Sequence, residues 1–101
     1  MVNINVLDHV ERCYSNDDGK VIQDLIKKAF MQNEKAVVSF QGVTALNSSF
    51  VNTAFIELLN DYDFSYIRKH LTFANSTAQI NTTIKNRFNF EVNERKNLVT
   101  V

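Results

Sequence analysis

The chain has 101 residues, of which 45% are hydrophobic, and its 11 basic residues balance its 11 acidic residues. This length holds one hydrophobic core, so we expect a single domain over residues 1–101. The zero net charge excludes an overall field that would attract nucleic acid or an anionic membrane.

Three sequence features set the expected location. No apolar run approaches the roughly 20 residues that cross a bilayer, and the first residues lack the layout of a signal peptide. The lone Cys13 cannot form an intramolecular disulfide. We therefore expect a cytoplasmic protein with no membrane partner.

The first part of the chain predicts a strand, a helix and a second strand. Residues 2–7 alternate apolar and polar side chains, which is the period of a half-covered strand. Residues 15–35 repeat apolar side chains at helical spacing, and Asp17 or Asp18 is expected to cap this helix. The short apolar run 36–40 is typical of a strand covered on both faces.

The middle of the chain predicts a second helix and a third strand. A short loop leads to Ser48 and Ser49, and residues 50–62 place their apolar side chains on one broad helical stripe. Residues 70–74 then predict the third strand.

The last part of the chain predicts a third helix. Residues 75–77 offer an N-cap, and apolar residues follow at steps of four, namely Ile80, Ile84 and Phe88. For residues 90–101 the sequence leaves open a short strand at 97–101 or an irregular tail.

The order β-α-β-α-β-α predicts an α/β fold, a small, mostly parallel sheet with helices packed on it. In such a sheet the loops that leave the strands gather along one edge, where the next helices begin. We call this edge the rim. Residues 47–49 are expected there, and their expected neighbours are Asp17, Asp18, Gly19, Asn75, Ser76 and Thr77.

Two interpretations account for the serine pair at the start of the second helix. A Ser or Asn at this position caps the helix, which is worth about 0.5–2 kcal/mol. The same position suits a phosphate, because a phosphoserine there would lie against free amides and the positive end of the helix dipole. The sequence leaves both interpretations open, and the second would change which partner fits the rim.

The stretch VVSFQGVTALNSSFVNTAF, residues 37–55, resembles the central motif of STAS domains. That fold is shared by anti-sigma factor antagonists and the cytoplasmic tails of sulphate transporters, and its motif joins a strand to a helix through Asp-Ser-Ser-Gly. In the antagonists a partner kinase phosphorylates a serine of the motif. The resemblance is closer to a bacterial STAS-like family of unassigned function and covers residues 19–88, through SNDDGKVIQDLI, SFQGV and SSFVNTAF.

Carried over by position, Asn47 stands where the antagonists have an acidic residue, and Ser48 and Ser49 match the serine pair. The missing carboxylate removes a charge that could position a metal-nucleotide or a basic group of a partner. Phe50 replaces the glycine of the motif. This change is expected to remove backbone access for a docking kinase and to supply a core anchor instead.

The resemblance implies a non-enzymatic regulatory module that binds a protein, a histidine-kinase-like ATPase or kinase by analogy, and needs no cofactor. Its expected partner-binding or phosphorylated residues are Asn47, Ser48, Ser49 and Phe50. A homodimer stays open, because exposed edge strands of a small sheet can pair.

Other functions have weaker support in the sequence. Ser48 and Ser49 are the only candidate nucleophiles, and neither lies in the glycine-flanked elbow of a hydrolase. The two glycines stand apart, which excludes a Gly-rich phosphate loop, and no metal site is expected. The alternative hypothesis is a nucleic-acid accessory factor that binds through its basic segment 85–96, with Lys85, Arg87, Arg95 and Lys96 as contacts.

Overall fold

The computed structural model describes the backbone of residues 1–99 and the side chains of residues 1–95. Three parallel strands form one sheet in the order β1-β2-β3, with β1 at Val2–Asn5, β2 at Ala36–Ser39 and β3 at Leu71–Ala74. Within the described residues the helices are α1 (Asn16–Met31), α2 (Ser48–Ala54), α3 (Phe64–His70) and α4 (Ala78–Val99). The predicted α/β fold with a parallel sheet is confirmed.

The helices cover one face of the sheet. Each crossover moves the chain one strand further in the same direction, so right-handed connections place α1 and α2 on the same face, where they pack together. Alternate strand residues are buried on that face, namely Ile4, Ala36, Val38 and Leu71.

The opposite face of the sheet is open and polar. Asn3 and Thr72 are exposed, while Asn5, Val37 and Ser39 are half-buried. The prediction that β2 is covered on both faces is therefore wrong. Its apolar run suggested two buried faces, but Val37 and Ser39 belong to the side that the helices leave uncovered.

The contact between α1 and α2 depends on a glycine. A Cβ atom added to Gly19 would lie 2.8 Å from the carbonyl oxygen of Phe50 and 2.9 Å from the Cβ of Thr53. Beside this contact the Thr53 hydroxyl donates a hydrogen bond of 3.1 Å to Oδ1 of Asn16. The two helix backbones thus approach more closely than any side chain at position 19 allows.

The expected single helix over residues 50–62 is wrong, because α2 ends at Ala54 and a 3₁₀ helix follows at Ile56–Asn60. Gln23 of α1 explains the break. Its side-chain amide donates to the carbonyl of Thr53. In a continuous α-helix that carbonyl would accept a hydrogen bond from the backbone amide of Glu57. A tertiary contact therefore ends a helix that the apolar stripe alone would continue.

The segments before and after β3 differ from expectation. The sequence reasoning did not predict α3, which Asp63 caps by accepting a 2.8 Å hydrogen bond from the amide of Tyr66. The predicted third helix is present as α4, with Ile80, Ile84 and Phe88 buried as expected. Because α4 continues to Val99, both alternatives left open for this segment, a strand from residue 97 or an irregular tail, are wrong as far as residue 99, and residues 100–101 lie outside the described chain.

We expect Gly19→Ala to lower the free energy of unfolding by about 1–3 kcal/mol, because the added methyl group overpacks the α1–α2 contact. A loss of stability would be informative, since replacing glycine by alanine in an isolated helix stabilises the helix by about 1 kcal/mol. Urea titration followed by circular dichroism measures the change. Val21→Ala, at an exposed position of the same helix, is the control and should have little effect. A Gly19→Ala chain as stable as the wild type would contradict the close approach.

Candidate functional site

The rim of the sheet brings together the three segments that the sequence predicted there. The last strand residues, Asn5, Ser39 and Ala74, lie side by side in the parallel register. The loops that leave them lead to the starts of α1, α2 and α4. Because β2 is the central strand, the loop that ends at Asn47 lies between the other two.

Asn47 joins the start of α2 to the loop before α1. Its Oδ1 accepts a 3.0 Å hydrogen bond from the amide of Phe50, which makes it the N-cap of α2. Its backbone amide donates to the carbonyl of Cys13 at 3.1 Å, and its side-chain Nδ2 donates to the carbonyl of Tyr14 at 2.7 Å. One exposed side chain thus fixes two of the three rim segments relative to each other.

The two serines lie at the first two positions of α2. Ser48 is exposed and Ser49 is half-buried, so neither is enclosed beneath other side chains. Asn47 supplies the cap, so the helix needs neither serine for this purpose. The capping interpretation is therefore correct for Asn47. The hydroxyl groups of Ser48 and Ser49 do not cap the helix.

Phe50 is not part of the exposed rim. Its side chain is fully buried and meets the ring of Phe55 edge-on at 6.1 Å between centroids. The expectation that it contacts a partner is wrong. Its large apolar side chain points into the core, as expected of a phenylalanine that replaces a glycine.

The α1 side of the rim differs from the sequence prediction in two respects. Ser15 caps α1 by accepting a 3.0 Å hydrogen bond from the amide of Asp18, so the prediction of an aspartate cap is wrong. Asp17 is exposed and Asp18 half-buried in the first turn. Gly19 is buried against α2 and cannot meet a partner. Ser15 is the cap because it lies immediately before the helix, whereas Asp17 and Asp18 lie within its first turn.

The third rim segment is held by its own hydrogen bonds. Asn75, at a φ of 51°, donates through Nδ2 to the hydroxyl of Ser39 at 2.9 Å. Thr77 caps α4 by accepting from the amide of Ile80 at 3.1 Å, while the Ser76 hydroxyl donates to Asn81 at 2.8 Å. Ser76 therefore contributes to the start of α4, and the exposed members of this segment are Asn75 and Thr77.

The sequence reasoning missed two polar residues of the rim. Ser39 accepts hydrogen bonds from Asn75 and from the amide of Gln41. Asn5 has a buried Oδ1 atom that lacks a hydrogen-bond partner within the described part of the chain. Both are the last residues of their strands and lie on the uncovered face, whereas the predicted strands 2–7 and 36–40 continued past them.

A family comparison matches residues 18–81 to the STAS-like domain of unknown function (DUF4325). The chain belongs to this STAS-like family. The match runs from the first turn of α1 to the start of α4 and so includes the α1–α2 contact and the serine pair. Neither a curated protein nor a solved structure gives a significant match.

The basic segment of this STAS-like domain is partly engaged within the chain. Arg87 donates to Oδ1 of Asn52 at 3.0 Å, and Arg95 donates to Oδ1 of Asn60 at 2.8 Å. Lys85 is exposed, and the side chain of Lys96 lies outside the described residues. The two arginines therefore tie α4 to the α2 region, and the nucleic-acid hypothesis gains no support from them.

A metal site and a membrane-spanning helix each have requirements that the described residues do not meet. Between residues 1 and 95 no three His, Cys, Asp or Glu side chains converge as they would to hold a metal ion. None of the helices described between residues 16 and 99 is both long and apolar enough to cross a membrane.

Cys13 lies beneath the rim with its side chain buried. Burial raises the pKa of the Cys13 thiol to about 11, and the negative charge of Asp18 acts in the same direction. A thiol that keeps its proton is a poor nucleophile. Cys13 therefore serves the packing of the loop, whose carbonyl holds Asn47.

We expect Asn47→Ala to lower the free energy of unfolding by about 2 kcal/mol, because it removes both the cap and the bond to Tyr14. Asp63→Ala is the matched control, since Asp63 caps another seven-residue helix and its side chain makes only the cap bond among the described hydrogen bonds. Its expected cost is about 1 kcal/mol. Urea titration compares them, and equal losses would show that the bond to Tyr14 adds nothing.

The raised pKa of Cys13 predicts a loss of stability in alkali. The folded chain holds the thiol proton more tightly than the unfolded chain, so this contribution is complete below pH 9.0 and falls as the pH rises towards about 11. Urea titrations at about pH 8 and about pH 10 should show a smaller loss for Cys13→Ala than for the wild type. The same loss in both chains would exclude Cys13 as its source.

Proposed function

We propose that this STAS-like domain is a non-enzymatic regulatory module of the bacterial cytoplasm that binds a protein partner through its rim. The docking residues are Asn47, Ser48 and Ser49, with Asp17 and the third rim segment beside them. By analogy with the anti-sigma factor antagonists, the partner is a histidine-kinase-like ATPase or kinase.

The observation that supports this proposal best is the position of the serine pair, an exposed Ser48 and a half-buried Ser49, on a rigid support. Ser48 and Ser49 follow an asparagine that three hydrogen bonds hold in place, and the α1–α2 contact lies directly beneath them. A preorganised surface loses little conformational freedom when a partner binds. Polar groups fixed in this way favour recognition of one partner geometry.

The same geometry supports a phosphorylation switch. Ser48 is the more accessible acceptor, because it is exposed while Ser49 is half-buried. Transfer of the γ-phosphoryl group of ATP to its hydroxyl oxygen would break the bond to the β-phosphate, release ADP and the hydroxyl proton, and add about −2 charge to the rim. The added charge would alter partner binding without requiring any change in the core.

We expect Ser48→Asp and Ser49→Asp each to reduce the amount of partner recovered on the immobilised domain by about tenfold, because each places an unpaired charge in the interface. The partner is first captured from a lysate of the source organism with the wild-type domain and identified by mass spectrometry. Binding of the purified partner is then measured for each variant.

Ser65→Asp is the matched control, since Ser65 is the exposed second residue of α3 as Ser49 is the second residue of α2. It should bind the partner like the wild type. If all three variants bind equally well, the rim is not the docking surface. In a second arm, the purified partner and Mg·ATP should add one phosphate to the wild type but none to Ser48→Ala.

A further inference from the structure

An apolar groove lies on the flank of the domain, between α3 and α4 and beside the edge strand β3. Its volume is about 360 Å³, within the range of roughly 300–1,000 Å³ that is usual for small-molecule sites. We call it the α3–α4 groove. Its apolar lining consists of Phe64, Ile67, Leu71, Phe73, Ile84 and Phe88.

The apolar lining comes from three elements that the core holds in place. Ile67 of α3, Leu71 of β3 and Ile84 of α4 are each more than nine-tenths buried. The rings of Phe64 and Phe88 lie 5.5 Å apart and join the two helices across the groove. The site is therefore preformed and does not depend on a mobile loop.

The charged residues that line the groove are all basic. Arg68 of α3 and Lys85 of α4 line it together with the amides of Asn81 and Asn89, and no carboxylate is among its lining residues. Neither cation forms an ion pair within residues 1–95, and the Arg68 guanidinium lies 5.7 Å from the centre of the Phe64 ring. The net charge of the chain is zero, so the positive charge beside this apolar floor comes from these two residues and not from the protein as a whole.

The length of the groove indicates the size of its ligand. The seven residues of α3 form one wall, which at 1.5 Å per residue is about 10 Å long. A docking helix would bury only about two of its turns there, far less than the roughly 800 Å² per partner of a stable protein interface. An alkyl chain of medium length spans the same distance.

We propose that the α3–α4 groove binds a free medium-chain carboxylate. The alkyl chain lies along the Phe64 and Phe88 rings, and the carboxylate meets Arg68 and Lys85. None of the rim residues lines the groove, although Asn81, which does, accepts a hydrogen bond from Ser76 of the rim. The proposal does not depend on the proposed protein-binding function.

The test uses octanoate as the probe and ¹⁵N-labelled domain observed by NMR. Octanoate should shift the amide resonances of groove residues, Ile67 and Ile84 among them, in a saturable manner. Octanol should bind at least about threefold more weakly, and octylammonium more weakly still, because neither supplies an anion to the two cations. Arg68→Gln and Lys85→Gln should each lower the octanoate affinity by about threefold to fivefold.

Lys69→Gln is the matched control, because Lys69 is an exposed cation of α3 that does not line the groove. It should leave octanoate binding unchanged. The positions of Arg68 and Lys85 are exposed, and the dispersion of the NMR spectrum verifies that each variant is folded. If Arg68→Gln disturbs the fold through its contact with Phe64, Lys85→Gln still tests the proposal.

Four results would overturn the proposal. The first is the absence of saturable shifts in the groove, and the second is equal affinity for octanoate and octanol. The third is a set of groove resonances that shift with protein concentration alone, which would identify a second copy of the chain as the occupant. The fourth is binding to phosphatidylglycerol vesicles without binding of free octanoate, which would identify a membrane surface instead.

Discussion

The missing side chain at Gly19 allows α1 to lie directly on the first turn of α2, and the arrangement of the rim follows from that contact. With the Gly19 Cα against the carbonyl of Phe50, the loop before α1 comes within hydrogen-bond distance of Asn47. Asn47 then caps α2 and fixes the direction in which the serines leave the core. A larger residue at position 19 would separate the helices and with them the two segments that Asn47 joins.

The domain presents two surfaces of different chemistry. The rim is polar, is built from helix starts and strand ends, and carries hydroxyl groups that the fold does not use as caps. The α3–α4 groove is apolar, is bordered by Arg68 and Lys85, and lies at the outer strand β3. Since α3 and α4 are not part of the α1–α2 contact, a ligand in the groove and a partner on the rim would engage different parts of one core.

Local patterns predicted those parts of the fold in which local and tertiary preferences agree. The three strands, the helix predicted within residues 15–35 and the Ile80, Ile84 and Phe88 stripe followed from local patterns of apolar residues. The end of α2 did not, because Gln23, 30 positions earlier in the chain, donates to the Thr53 carbonyl. The burial of Gly19 and the exposure of the second sheet face likewise depend on how the helices are placed. At the site, the position of the serine pair was predicted, whereas the bonds from Asn47 to Cys13 and Tyr14 join residues whose proximity only the fold creates.

Native-state hydrogen exchange at the amide of Asn47 tests most directly whether the α1–α2 contact holds the rim in place. This amide donates to the carbonyl of Cys13 at 3.1 Å and belongs to neither helix. We expect it to exchange only when α1 and α2 separate, with an opening free energy equal to that of the buried amides of Ile22 and Ile26. An Asn47 amide that exchanges at a much lower opening free energy, while those of α1 stay protected, would contradict the account.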